Sequence, residues 1–260
     1  MAEVRAEREG AAGFVTLSQP DRLNALTLAM WRELRDAVVS LARDPIVRVI
    51  VVRGEGGADF SAGADISEFS RVRGSAGAAP VYTGAVGEAL QALLDARRPT
   101  IAQVHGACVG GGAAIAVACM MRFVDDGLRF AITAARLGVV YEGEAIGALV
   151  RLVGPGRALD ILLSGRSVGA AEALRIGLAN EVVSAPELET RVREYAEILA
   201  ANAPISMEGA IVAVRAAQGR ASAESEAELR ELKRKAIESD DYREGTQAFL
   251  DKRRPRFTGR

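Results

Sequence analysis

The groups in this sequence with the clearest chemical use are backbone amides, carried by two short segments of small residues. The first is Phe60-Ser61-Ala62-Gly63-Ala64-Asp65-Ile66; the second is Gly106-Ala107-Cys108-Val109-Gly110-Gly111-Gly112. Each follows a β-like run and leads into a helical pattern. Neither brings a nucleophile or a cluster of metal ligands. Two N–H groups converging at the start of a helix are what a developing oxyanion needs. Glycine at 110 to 112 suits that use, because it lets backbone approach a ligand and takes positive φ. It equally suits a tight strand–helix junction.

Side chains add a second layer. Glu142 and Glu144 stand in Val140-Tyr141-Glu142-Gly143-Glu144-Ala145. Two readings fit them: a general acid or base with Tyr141 hydrogen-bonding beside it, or first-turn helix acids stabilised by the helix dipole. Glu68 reads as a solvated helix residue with a weaker claim to chemistry. Asp65 reads as a helix-capping acid, so the ligand contact in its segment falls to backbone around Ala64 to Ser67. His105, the single histidine, precedes the second segment and reads as structural, orienting the loop through a hydrogen bond. Cys108 and Cys119 lie among small apolar residues and read as reduced buried thiols.

The elements that must hold these segments show in the periodicity. Phe14 to Leu17, Val47 to Val52 and Thr100 to Val104 read as strands, and Arg122 to Val124 and Leu128 to Phe130 as short ones. Leu28 to Leu41 repeats apolar residues at helical spacing behind a Thr27 N-cap, and Val86 to Leu94 and Ala113 to Cys119 also read as helices. The Gly-, Ala- and Ser-rich stretch Arg71 to Ala79 reads as a mobile surface segment, and the region Arg71 to Tyr82 is expected to help shape the wall of a ligand pocket. This alternation indicates an α/β core. After about Pro186 the pattern is helical only, over Leu188 to Ala201, Ile205 to Ala217, Ala223 to Ile237 and Tyr242 to Lys252. The expected division is a core over 1–195 and a helical region over 196–260.

Composition narrows the function classes. The 260 residues are 49% hydrophobic and 26% charged, enough for a sizeable core without staples. Thirty-three basic and 34 acidic residues leave a net charge of −1, so no strong field favours nucleic acid or an anionic membrane. One histidine cannot build a multi-histidine metal site, and no long apolar run suggests a membrane span. The charged N-terminus lacks a signal-peptide core, which makes the cytoplasm the expected compartment.

Taken in order, these motifs resemble the crotonase superfamily, the enoyl-CoA hydratase/isomerase family. The similarity begins at Arg22-Leu23-Asn24-Ala25-Leu26 and runs through both small-residue segments. It continues through Ala135-Arg136-Leu137-Gly138 and Leu152-Val153-Gly154, and ends with Ala248-Phe249-Leu250-Asp251-Lys252-Arg253 and Arg256-Phe257. The resemblance implies a spiral of ββα units followed by helices for trimer formation, with two trimers often stacking into a hexamer. It implies a coenzyme A thioester as substrate and no permanently bound cofactor. The oxyanion amides would be those of Ala64 and Gly111, with Gly110, Ala62, Asp65, Ile66 and Ser67 around them. Arg22, Leu23 and Ala25 resemble positions along the coenzyme A channel, where Arg22 either pairs with a phosphate or is an ordinary exposed arginine. Phe249 and Lys252 match positions that close the CoA site, often from a neighbouring subunit. The alternative for them is a buried Phe and a solvated Lys on a plain helix.

The sequence departs from the family at two places. Family hydratases position water and move protons with two glutamates, and the matching positions here are Ala114 and Ala134. A methyl group neither accepts nor donates a proton. Some family isomerases and a dehalogenase carry a functional Asp at the position matching Glu142, which makes Glu142 the first candidate acid or base and Glu144 the second. Three expectations follow: proton transfer and isomerisation through an enolate, hydration with Glu142 and Glu144 as relocated carboxylates, or acyl-CoA binding without turnover.

Overall fold

The computed structural model describes residues 2–69, 77–220 and 222–260. Most of the Arg71 to Ala79 stretch lies outside them; Ala78 and Ala79 belong to a helix. The strands are β1 (Glu3–Glu9), β2 (Ala12–Ser18), β3 (Val49–Gly54), β4 (Thr100–Val104), β5 (Ala107–Val109), β6 (Met121–Asp125), β7 (Arg129–Ala131), β8 (Val168–Gly169) and β9 (Glu181–Val183). The helices are α1 (Leu28–Arg43), α2 (Ala78–Asp95), α3 (Gly111–Ala118), α4 (Gly143–Val153), α5 (Pro155–Ser164) and α6 (Ala170–Arg175), then α7 (Leu188–Ala200), α8 (Pro204–Arg215), α9 (Ala223–Glu238) and α10 (Asp240–Leu250).

The strands form two sheets, and from β4 to β7 successive strands alternate between them. The larger has the order β1-β2-β3-β4-β6-β9, the smaller β5-β7-β8. Only the β1–β2 hairpin is antiparallel in the larger sheet. The turns β4-β5-α3 and β6-β7-α4 each place one strand in each sheet before a helix, the repeating unit of the expected crotonase-like spiral.

The period-2 pleat explains why β3 is apolar on both faces. Ile50 and Val52 enter the main core with α1, α2 and α3. Val49 and Val51 turn to the other face, where Phe14, Ile101 and Phe123 meet Leu188, Val192 and Ala196 of α7. Thr27 caps α1 as expected, its hydroxyl accepting the Met30 N–H at 3.2 Å. Among the described residues no single helix is long and apolar enough to cross a membrane.

Two differences from the sequence reading have physical causes. β1 carries five charged residues in seven and shows no apolar run; it forms because it pairs along its whole length with β2 and its charges find partners, among them Glu9 with Arg193 and Arg5 with Glu55. β5 hides within the glycine-rich segment, where its three residues add to the small sheet through β7.

Candidate active site

The two small-residue segments meet through backbone. Ser61 bridges Cys108 as a parallel pair; Ser61 donates to the Ala107 carbonyl at 3.0 Å and Val109 donates to the Ser61 carbonyl at 2.9 Å. On the other side Leu26 donates to the Gly63 carbonyl at 2.7 Å and Asp65 donates to the Leu26 carbonyl at 2.9 Å. That parallel bridge turns the N–H of the intervening Ala64 away from Leu26. Gly63 has φ +100, and a Cβ built on it would lie 2.8 Å from the Val109 carbonyl oxygen and 3.3 Å from the Gly111 nitrogen. Only glycine permits this approach, which brings the Ala64 and Gly111 amides to one place. Gly111 is the first residue of α3, so its N–H has no intrahelical acceptor.

Ser61 and Asn24 lock the geometry. The Ser61 hydroxyl donates to the Asn24 carbonyl at 2.7 Å and accepts the Gly63 N–H at 3.2 Å. The Asn24 side-chain amide donates to the carbonyls of Glu55 at 3.0 Å and Asp59 at 2.9 Å. Leu23 and Asn24 both take left-handed backbone, φ 52 and 55, a cost the surrounding bonds hold in place. Neither Ser61 nor Asn24 carries a sequence signal of its role; both depend on a partner more than 30 residues away.

A cavity of about 120 Å³ opens at the junction. Ala62, Gly63, Ala64, Gly110 and Gly111 form its floor, and Trp31, Phe69, Tyr82 and Val86 one wall. Trp31 Nε1 donates to the Tyr82 hydroxyl at 3.1 Å, and Phe69 meets Tyr82 edge-on with centroids 6.4 Å apart. Tyr82 ends the region expected to shape the wall, whereas Trp31 and Phe69 went unread; Trp31 lies on the apolar stripe of α1 with Leu34 and Val38, indistinguishable from core. Ile66, Leu137 and Val140 stand at the rim with apolar side chains exposed to solvent.

Ala114 and Ala134 line the cavity with methyl groups. Glu142 also lines it, as the residue preceding α4. Glu144 does not: it is exposed in the first turn of α4 and faces Gly87 on α2. Tyr141 donates its hydroxyl to the Gly110 carbonyl at 2.7 Å rather than to a carboxylate, and burial raises its pKa well above the ordinary range. The phenol thus steadies the carbonyl that precedes Gly111.

Asp65 is a cap. Its carboxylate accepts the Ser67 N–H at 3.0 Å, the Ser67 hydroxyl at 2.6 Å, Gln19 at 3.1 Å and Arg22 at 2.9 Å. Burial alone would raise its pKa, and these hydrogen bonds outweigh burial and hold it below the usual range. Arg22, half-exposed, also donates to the Ser67 hydroxyl at 2.7 Å, so it is already engaged beside the first loop. Leu23 is exposed and Ala25 buried next to it. Glu68 accepts the Leu28 N–H at 2.9 Å at the start of α1. His105 meets Asp125 at 3.3 Å, and Asp125 accepts the Gly106 N–H, the loop-orienting arrangement expected. Both thiols are buried and unpaired by a disulfide. Phe249 and Lys252 do not reach the cavity of their own chain. Phe249 is 84% exposed, not buried, and Lys252 sits just past α10 in left-handed backbone.

A family model described as enoyl-CoA hydratase/isomerase matches residues 7–260. The chain belongs to this family. Within the enoyl-CoA hydratase/isomerase family it is 36% identical to a crystal structure of an enoyl-CoA hydratase/carnithine racemase from Magnetospirillum magneticum, with a TM-score of 0.94 over 100% of this chain and 97% of that one. It is 34% identical to the carnitinyl-CoA dehydratase of Proteus mirabilis, over 95% of this chain and 94% of the relative. It is 30% identical to the short-chain-enoyl-CoA hydratase of Clostridium acetobutylicum, over 95% and 94%. The crotonase-like fold and the enzyme family expected from the motifs are thus both found.

Proposed function

We propose that the chain acts on an acyl-CoA thioester through an enolate whose oxygen is held by the amides of Ala64 and Gly111, and that it shifts a double bond rather than hydrating one. The positive end of α3 and two desolvated N–H donors would stabilise charge as it develops on the thioester oxygen. The Glu142 carboxylate would take a proton from the α-carbon of a β,γ-enoyl thioester. The resulting dienolate would then receive that proton at the γ-carbon, leaving the double bond between α and β and the carboxylate regenerated. One acid/base group suffices for this cycle.

The observation that carries the reading is that, among the described residues, Glu142 is the single carboxylate lining the cavity beside both loops. Hydration asks for a second group to position water, and the three other candidates are two methyls and the outlying Glu144. Tyr141, bonded to Gly110, serves as a support for the loop. The size of the cavity favours a short acyl group. Coenzyme A would run outward past Ala62, Asp65, Ile66 and Ser67 toward Arg22, Leu23 and Ala25. Phe249 and Lys252 of a neighbouring copy would close that channel in a trimer or a dimer of trimers. The buried free thiols fit a reducing compartment such as the cytoplasm.

A second reading, acyl-CoA binding without turnover, is favoured by Ala114 and Ala134 alone. Exchange of α- and γ-protons of an enoyl-CoA in deuterated buffer separates the two. The wild type exchanges both positions and Glu142→Gln falls by at least about a hundredfold. Equal exchange in both proteins removes Glu142 from the mechanism, and no exchange in either leaves the binding reading.

A further inference from the structure

Arg122 is 3% exposed, and among the described residues it forms no ion pair with a carboxylate. Its guanidinium instead gathers carbonyls. Nε donates to Leu178 at 2.6 Å and Nη1 to Cys119 at 2.6 Å; longer contacts of 3.4 Å reach Ala116, Met120 and the Asn180 Oδ1. Ala116, Cys119 and Met120 are the last turn of α3 and the two residues that follow it. The opposite end of the same helix is Gly111.

We propose that Arg122 is a positioning residue for the oxyanion site: a buried cation that ties down the end of α3 and cancels the negative pole of that helix. The inference rests on the reading that Ala64 and Gly111 hold a thioester oxygen. A helix of eight residues is about 12 Å long, so its two half-charge poles lie close enough for the negative one to weaken the positive one at the ligand. A cation at the far end leaves the N-terminal pole uncompensated. Every residue from Gly112 to Ala118 is buried, so solvent does little to screen the interaction.

The surroundings preserve the charge. The ionisable groups acting on Arg122 are the thiols of Cys119 and Cys108. Burial raises both, Cys119 to about 12, which keeps them neutral. Burial lowers the guanidinium to about 10, leaving it a cation at neutral pH. A unit charge about 15 Å from the oxyanion, at an effective dielectric of about 20, is worth about a sixfold change in rate.

Asn180→Asp tests this with little structural disturbance. Asn180 is exposed, and its Oδ1 already accepts the Arg122 backbone N–H at 2.8 Å, so aspartate keeps the bonds and adds a counter-charge. Arg122→Met removes the charge, and Arg122→Lys keeps it without the fork of donors. The readouts are kcat separated from KM for proton exchange, and the carbonyl stretch of bound crotonyl-CoA carrying ¹³C at the thioester carbon. Asn180→Asp is expected to lower kcat about two- to threefold and to reduce the bound-state downshift of the carbonyl, with KM and Tm unchanged. Arg122→Met, where it folds, loses about sixfold or more in kcat, and Arg122→Lys recovers part of that loss. A wild-type downshift and kcat retained in Asn180→Asp overturn the proposal, whatever Arg122→Met does to stability. No downshift in the wild type overturns the oxyanion reading instead.

Discussion

Replacing Ser61 with alanine removes one hydroxyl and should disturb both loops at once. Ser61 is fully buried, and its oxygen serves the Asn24 carbonyl at 2.7 Å and the Gly63 N–H at 3.2 Å. Alanine leaves a buried acceptor and a buried donor without those partners, each at a cost of about 1–3 kcal/mol. The longer Gly63 bond belongs at the low end of that range, which puts the loss near ~3 kcal/mol. With about 2.1 cal/mol/K of unfolding entropy per residue, a chain of 260 residues should then lose about 5–6 °C in Tm. The catalytic effect should exceed what stability alone accounts for, because Gly63 carries Ala64 next to Gly111. Loosening one oxyanion donor lowers the rate by about 10- to 100-fold. Thermal unfolding by circular dichroism gives the first number, and proton exchange on an enoyl-CoA at a temperature where the variant is folded gives the second. A Tm within 1 °C of wild type (roughly the resolution of the unfolding assay) together with unchanged exchange would refute the role assigned to this hydroxyl.

Two further outcomes follow from the buried and paired ionisable groups. Cys108 and Cys119 should resist an aromatic disulfide reagent at pH 8 in the native protein and react promptly in denaturant, because burial raises both thiols, Cys119 to about 12; rapid labelling of the folded chain would contradict their burial. Glu244 is held down to about 2 by the Arg253 side chain and the Arg256 N–H, and Asp65 is lowered by its own hydrogen bonds. Native values below the unfolded ones mean stability that is complete above the ordinary carboxylate range, near about 4, and lost as pH falls through the native values. Denaturant unfolding between neutral pH and pH 2 should show this acid limb, and Glu244→Gln should flatten it; an unchanged limb in that variant would remove Glu244 as a source.

Much of the fold was legible because it rests on local pattern. The apolar stripe of α1, the Thr27 cap, the β-branched run of β3 and the four helices from Leu188 onward each announce themselves within a dozen residues. The charged β1 and the three-residue β5 do not, since both are stabilised by strands already in place. The site divides in the same way. Glycine clusters mark where backbone must come close, so the junction of Ala64 and Gly111 was foreseeable. The hydroxyl of Ser61, the wall residues Trp31 and Phe69, and the cation of Arg122 act through partners distant in sequence. Glu142 and Glu144, two residues apart, were ranked by the family resemblance alone; the start of α4 turns the first to the cavity and the second toward α2.

The most direct test is a crystal structure of the protein with an unreactive acyl-CoA thioester bound. The thioester oxygen should accept from the Ala64 and Gly111 nitrogens, each at about 2.7–3.1 Å, with the Glu142 carboxylate facing the α-carbon. A thioester oxygen bound away from both amides, or a Glu142 side chain turned out of the cavity, would contradict enolate chemistry at this site.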